Sequence, residues 1–200
     1  ETLISLPALA DVLLPNTFGE YTKGQPTMFV VGPVRNSGGQ VIAALALRIN
    51  PHKDFTRIPQ LGRVGQSGET YAFDEKSKLL TESRFEQHLI QTGLIRPGER
   101  AILSVDIRDP GGNLIDGYHP TIDREQQPLT WMAASAIDGD TSVHMTGYRD
   151  YRGVPVVGVW LWDTELGLGL TTDMDIEQGQ AQIRTTRWPV LNTQQGILYS

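Results

Sequence analysis

Four histidines, His52, His88, His119 and His144, stand 36, 31 and 25 residues apart. No H-x-x-x-H or H-E-x-x-H pair places two imidazoles on one helix face, so they read as unrelated surface or satisfied histidines and not as metal ligands. Cysteine is absent, which removes thiol catalysis, Cys-zinc sites and disulfides together. The run GRVGQSG at 62–68 has G-x-x-G-x-x-G spacing, precedes a strand and lacks a closing Gly-Lys-Ser/Thr. It is neither a dinucleotide fingerprint nor a P-loop, and Ser67 is not in a G-x-S-x-G elbow. A connector is the better reading. Asp106, Asp109 and Asn113 flank a Gly-Gly turn, and Asp173, Asp175 and Glu177 alternate at a strand end. Neither set reproduces an EF-hand loop, and charge is a usual protection of strand edges. A hydrolase built on paired carboxylates stays a lesser alternative, since pairing without a distance has no content. No catalytic residue, metal or cofactor is assigned.

The stretch GYRDYRG, Gly147 to Gly153, carries more information. By strand alternation Tyr148 and Asp150 point one way, and Arg149 and Tyr151 the other. One face must meet the helices, and a buried Tyr hydroxyl or Asp needs a partner. That partner is either internal, such as a backbone N–H or Arg84, or a ligand; internal pairing is the commoner outcome. Tyr71, Arg84, Arg108, Tyr118 and Trp131 join Tyr148 and Asp150 as candidates to line a pocket between sheet and helices, where an Arg fork would hold a carboxylate.

The elements that would position these residues are short. Gly and Pro total 33 of 200 residues and punctuate segments rich in Val, Ile, Thr and Tyr, which predicts a sheet-dominated fold with few helices. Pro7 and Pro15 limit any helix in the first 15 residues to about two turns. TMFVVGPVR, a turn at Asn36 to Gly39, and QVIAALALRIN form the clearest hairpin, whose second strand is apolar on both faces and therefore expected to be covered on both. PHKDFTRI predicts one or two helical turns, with Asn50 as cap and Pro51 first. ETYAFDE and SKLLTESRF predict a second hairpin, FEQHLIQTGLI a helix ending at Gly93, and AILSVDI an extended segment. Residues 116–128 read as loop. PLTWMAASAI predicts a helix burying Leu129, Met132, Ala133 and Ala136. SVHMTGYRDY, VPVVGVWLW and LGLGLTTDMD predict three consecutive strands, and IEQGQAQIRTTRW a helix leading outward. A hairpin, helical crossing material and a three-strand meander give an α+β, PAS-like five-stranded antiparallel sheet with helices on one face.

Composition bounds the function. Seventeen Lys+Arg against 23 Asp+Glu give a net charge of −6, which argues against a nucleic-acid partner. No run of 18 apolar residues reads as a membrane-spanning helix, and the start does not read as a signal peptide. Glu1 in place of an initiating Met points to a piece of a longer protein.

Two stretches resemble a known family. GRVGQSGETYAFDEKSKLLTESRF and GYRDYRGVPVVGVWLWDTELGLGLTTDMD look like the opening and closing strands of the membrane-proximal module of double Cache sensor domains, with the G-x-x-G-x-[ST]-G-E-[TS]-Y and D-Y-R-G-V-P-V-[VL]-G-[AV]-W patterns. The match covers about half the chain. The resemblance implies an extracytoplasmic, PAS-like sensor on the periplasmic or extracellular face of a bacterial membrane. Such domains are anchored by transmembrane helices and coupled to a histidine kinase, Ser/Thr kinase, cyclase or chemotaxis module. It implies a small-molecule ligand, such as an amino acid or other carboxylate, a homodimer, and no catalysis. Residues 1–60 would then be the remnant of a membrane-distal module, 61–178 the PAS-like module and 179–200 a tail towards the membrane, with the output leaving through 175–188. A non-binding structural relay is the alternative.

Overall fold

The computed structural model describes residues 1–16 and 18–181. Its strands are β1 (Leu3–Ile4), β2 (Ala8–Leu9), β3 (Leu14–Pro15), β4 (Tyr21–Thr22), β5 (Pro26–Arg35), β6 (Val41–Ile49), β7 (Glu69–Asp74), β8 (Ser142–Arg149), β9 (Pro155–Asp163) and β10 (Leu168–Asp175). Its α-helices are α1 (Arg57–Gln60), α2 (Glu86–Gln91) and α3 (Trp131–Ile137). The fold class is α+β, with antiparallel pairing throughout.

The main sheet runs β7-β10-β9-β8. The three strands from 142 to 175 pair as consecutive neighbours, as the meander predicts. The expected fifth strand is reduced to a stub. Leu80 N donates to Ala72 O and Asp74 N to Lys78 O, but only Phe73 and Leu79 form a bridge. Leu79 gives its own N–H to Val105 O and accepts from Leu103 N, so a second partner draws the chain off the sheet. Leu103 itself has φ 62 inside a turn at 101–104, which corrects the extended reading of AILSVDI.

Period-two alternation sorts the sheet's faces. Tyr71, Phe73, Val156 and Trp160 lie inside with Met132, Ala133 and Ala136 of α3, all at most 1% exposed. Thr130 caps that helix by accepting from Ala133 N. Leu89 of α2 closes the core, and Gly93 with φ 74 stops α2 as predicted. On β8, His144 faces Gly158 while Tyr148 faces Val156. Four steps therefore match two, and a bulge turns the strand end at Gly147, φ 104.

The first hairpin forms as expected from β5 and β6, and Asn50 caps a π turn at Pro51–Phe55. The first 15 residues are short strands instead of helical turns, β1 and β2 pairing with β5. Leu6 and Phe55 pack on Ala72, Leu80 and Leu168 at the outer face of the main sheet. β6 does not match its expectation. Val41, Ile42, Leu45 and Leu47 are 56–71% exposed, so neither face of the strand is covered by the described residues. Residues 176–181 are helical, and the rest of the expected tail, 182–200, lies outside the described residues.

Candidate functional site

One end of the inner face of the main sheet is charged. Glu69 begins β7 and faces Asp173 of β10. The β8–β9 turn brings Asp150, Tyr151 and Arg152 against them, and Glu69, Asp150, Tyr151, Arg152 and Asp173 are each at most 2% exposed. Buried charge is tolerated only when paired and hydrogen-bonded, and this group is dense in such bonds.

Glu69 accepts from Ser83 Oγ (2.8 Å), Arg84 N (2.6 Å) and Tyr151 OH (2.7 Å). Burial nevertheless raises its pKa, outweighing the Arg152 charge and these donors. Asp173 accepts from Tyr71 OH at 3.1 Å. Burial first, then the Asp150 and Glu69 charges, push its carboxyl well above the usual range. Asp150 takes Arg152 N and Val154 N on Oδ1 (2.8 and 2.9 Å) and Arg152 Nε on Oδ2 (2.7 Å). The Arg152 guanidinium lies 3.5 Å over the Phe85 ring. Burial works against its charge, but Asp150 and its neighbours prevail and hold its pKa above the ordinary value. Gly153, φ 80, is required at this turn, because a Cβ there would collide with the Gly112 carbonyl.

The sequence candidates divide. Tyr71, Tyr148 and Asp150 meet in this cluster. The Tyr148 hydroxyl fits the space left by Gly158; burial raises its pKa. Asp150 finds its partners inside the protein, and they include Arg152 rather than Arg84. Arg84 instead clamps the glycine loop through Gly68 O (2.6 Å) and Gly65 O (2.9 Å). Arg108 donates to Gln127 O. Tyr118 lies over Gly111 and Gly112, 40% exposed. Trp131 opens α3 and meets the His144 ring edge at 4.3 Å. Apart from the Arg84 backbone N–H on Glu69 and the Trp131 ring 6.2 Å from that of Tyr148, these four stay outside the cluster. Alternation fails at Tyr151, which is fully buried because β8 ends at Arg149. Arg149 turns outward onto Asp109, with both oxygens within 3.1 Å.

Sequence reading missed Glu69, Ser83, Arg152 and Asp173 as a group, and Arg124. Arg124 donates to Asp106 O and Tyr151 O, and burial lowers its pKa to about 10. It also missed a tie 111 residues long: Ser67 N and Oγ both donate to Gln178 Oε1, at 2.7 and 2.5 Å, and Asp175 N donates to Ser67 Oγ. The glycine loop is thus fastened to the segment that follows β10.

Beside this tie opens a cleft of about 740 Å³, bounded by the glycine loop, α2, the 113–116 loop, Arg152 and residues 175–178. The space expected for a ligand, between sheet and α3, is filled by the packed side chains of Tyr71, Phe73, Tyr151 and Trp160. Among the described residues, no group of three or more His, Asp or Glu is arranged to hold a metal ion. Nor is any helix there long and apolar enough to cross a membrane.

No family model matches the chain. No curated protein matches it. Among solved structures it is similar to the extracellular domain of mmHK1S-Z3, described as a histidine kinase, with TM-score 0.48 and 12% identity over 88% of this chain and 53% of that one. It is also similar to the periplasmic sensory domain of the Campylobacter jejuni chemoreceptor Tlp1, with TM-score 0.47 and 10% identity over 89% of this chain and 50% of that one. The chain therefore spans about half the length of each of these structures.

Proposed function

We propose that the chain is an extracytoplasmic sensing domain of a transmembrane signalling protein, which binds a small molecule and passes a shift in packing out through the segment after β10. The observation that carries this reading is the cleft. Its walls are at once the buried charged cluster, through Arg152, and the outgoing segment, through Asp175, Glu177 and Gln178. A ligand moves an equilibrium only by the difference in its contacts with two states. An occupant here would touch the part that must move.

The sheet order, with the stub at 78–80 beside β7, agrees with the PAS-like plan that the Cache resemblance implies. The exposed apolar residues of β6 support assigning residues 1–60 to a separate, incomplete module. Glu69, Asp150 and Asp173 take their hydrogen bonds from groups within the protein, which favours recognition over catalysis. Anchoring in a membrane, a periplasmic or extracellular setting and a homodimer belong to the same reading. The second reading, a relay that binds nothing, is favoured by the packed interior between sheet and α3.

A thermal-shift screen of the 200-residue chain separates the two. It would include amino acids and other small carboxylates, amines and sugars. A dose-dependent rise in Tm with any of them supports sensing. No rise, alongside a response of the longer receptor to one of the same compounds, selects the relay.

A further inference from the structure

A second hollow, of about 320 Å³, lies between β3, the start of β5, the end of β6, the π turn and Arg100. Arg48, Lys53 and Arg100 line it, and no Asp or Glu does. Arg48 and Lys53 are exposed, and their side chains make no hydrogen bond or ion pair with any described residue. Arg100 is partly committed. Its Nη1 meets both ring nitrogens of His52, at 2.8 and 2.9 Å, and Glu82 Oε1 at 3.3 Å. Those contacts fix the guanidinium and match its charge, while its Nε and Nη2 bond to no described residue. Asn50 Oδ1 accepts from His52 N, which leaves both N–H bonds of the Asn50 amide free.

Charge narrows the class. Glu82 matches one of the three cations, so the two charges of Arg48 and Lys53 stand on the wall without a counter-ion. A cationic ligand finds no acid there, and a neutral one leaves both charges unmatched. A single negative charge meets one of the two. A small dianion meets both. Its oxygens only accept, which suits the free N–H groups of Arg48, Asn50, Lys53 and Arg100. The field of the whole chain does not help, because its net charge is −6. Attraction must come from this local group. The volume lies at the small end of the range for small-molecule sites.

We infer that this hollow binds a small dianion, of the phosphate or dicarboxylate type. The site goes beyond the cleft reading and shares no lining residue with the cleft, so its failure would leave that reading standing.

The test is calorimetric titration of the 200-residue chain, above neutral pH, with inorganic phosphate, methyl phosphate, succinate and malate. Acetate and glucose serve as controls, and each compound is run at low and high salt. The expected result is saturable binding of at least one dianion, weakened by salt and about tenfold or more tighter than acetate. Arg48→Gln should weaken it about tenfold and Lys53→Gln several-fold. The Tm of the free chain should not change, because neither side chain is bonded. Lys76→Gln removes an exposed charge outside the hollow and should leave binding as it was. Binding of the phosphates, the dicarboxylates or both supports the inference and names the source. Acetate bound as tightly as any dianion overturns the ligand class. An equal loss with Lys76→Gln, or no loss with Arg48→Gln and Lys53→Gln, overturns the site. No dianion bound at low salt overturns the inference.

Discussion

Asp173 has a hydrogen-bond donor in Tyr71 but no solvent, and two further acids, Asp150 and Glu69, act on it. Its folded pKa stands above the ordinary 3.8, so between the two values the folded state binds more protons than the unfolded one. Stability therefore falls as pH rises from about 3.8 through the raised value; Glu69 acts in the same direction from 4.5. Asp173→Asn keeps an acceptor for Tyr71 and removes the ionisation. It is expected to stabilise the chain at pH 8, with the gain vanishing near pH 4, as read from urea unfolding. An unchanged pH profile in the variant would contradict the assignment of Asp173 as the buried titrating group. Tyr151→Phe takes a donor from Glu69 and a neighbour from Ser83, and should cost about 1–3 kcal/mol.

Elements show why part of this was legible and part was not. Gly93 and Gly153 both have positive φ, 74 and 80. A Cβ at Gly93 meets nothing within 4 Å, while one at Gly153 strikes the Gly112 backbone. Gly93→Ala should cost about 1–2 kcal/mol, the left-handed conformation alone. Gly153→Ala should cost more than about 3 kcal/mol, since two backbone segments must part; equal losses would show that the β8–β9 turn is not pinned. Local signals announced both turns, the Asn50 cap, α2, α3 and the closing meander, because each depends on residues close in sequence. The hairpin of ETYAFDE and SKLLTESRF predicts a strand over the stub at 78–80, yet its fate is decided by competition from 103–105. Tyr151 was placed on the wrong face because no residue type signals where β8 ends. The pairing of Glu69 with Asp173, and of Ser67 with Gln178, joins residues more than 100 apart, beyond the reach of any local pattern.

On the scale of the whole molecule, the glycine loop, the charged cluster and the segment after β10 form one bonded unit. Gln178→Ala removes the acceptor that two Ser67 donors share. It should raise amide exchange at Ser67 and Asp175 at least several-fold while leaving the α3 amides unchanged; uniform acceleration would mean the tie is not local. The other half of the molecule differs: the described residues leave the apolar side chains of β6 exposed, whereas Leu6 and Phe55 are partly buried against the main sheet. Recognition at the cleft is the claim that joins these observations. Its most direct test is amide NMR of the 200-residue chain titrated with sugars, amino acids, amines and short monocarboxylates. The account predicts that a binding compound shifts Ser67, His88, Arg152, Asp175 and Gln178 first and most. Shifts centred on Tyr71, Met132 and Trp160 between sheet and α3, or none with any compound, would contradict it.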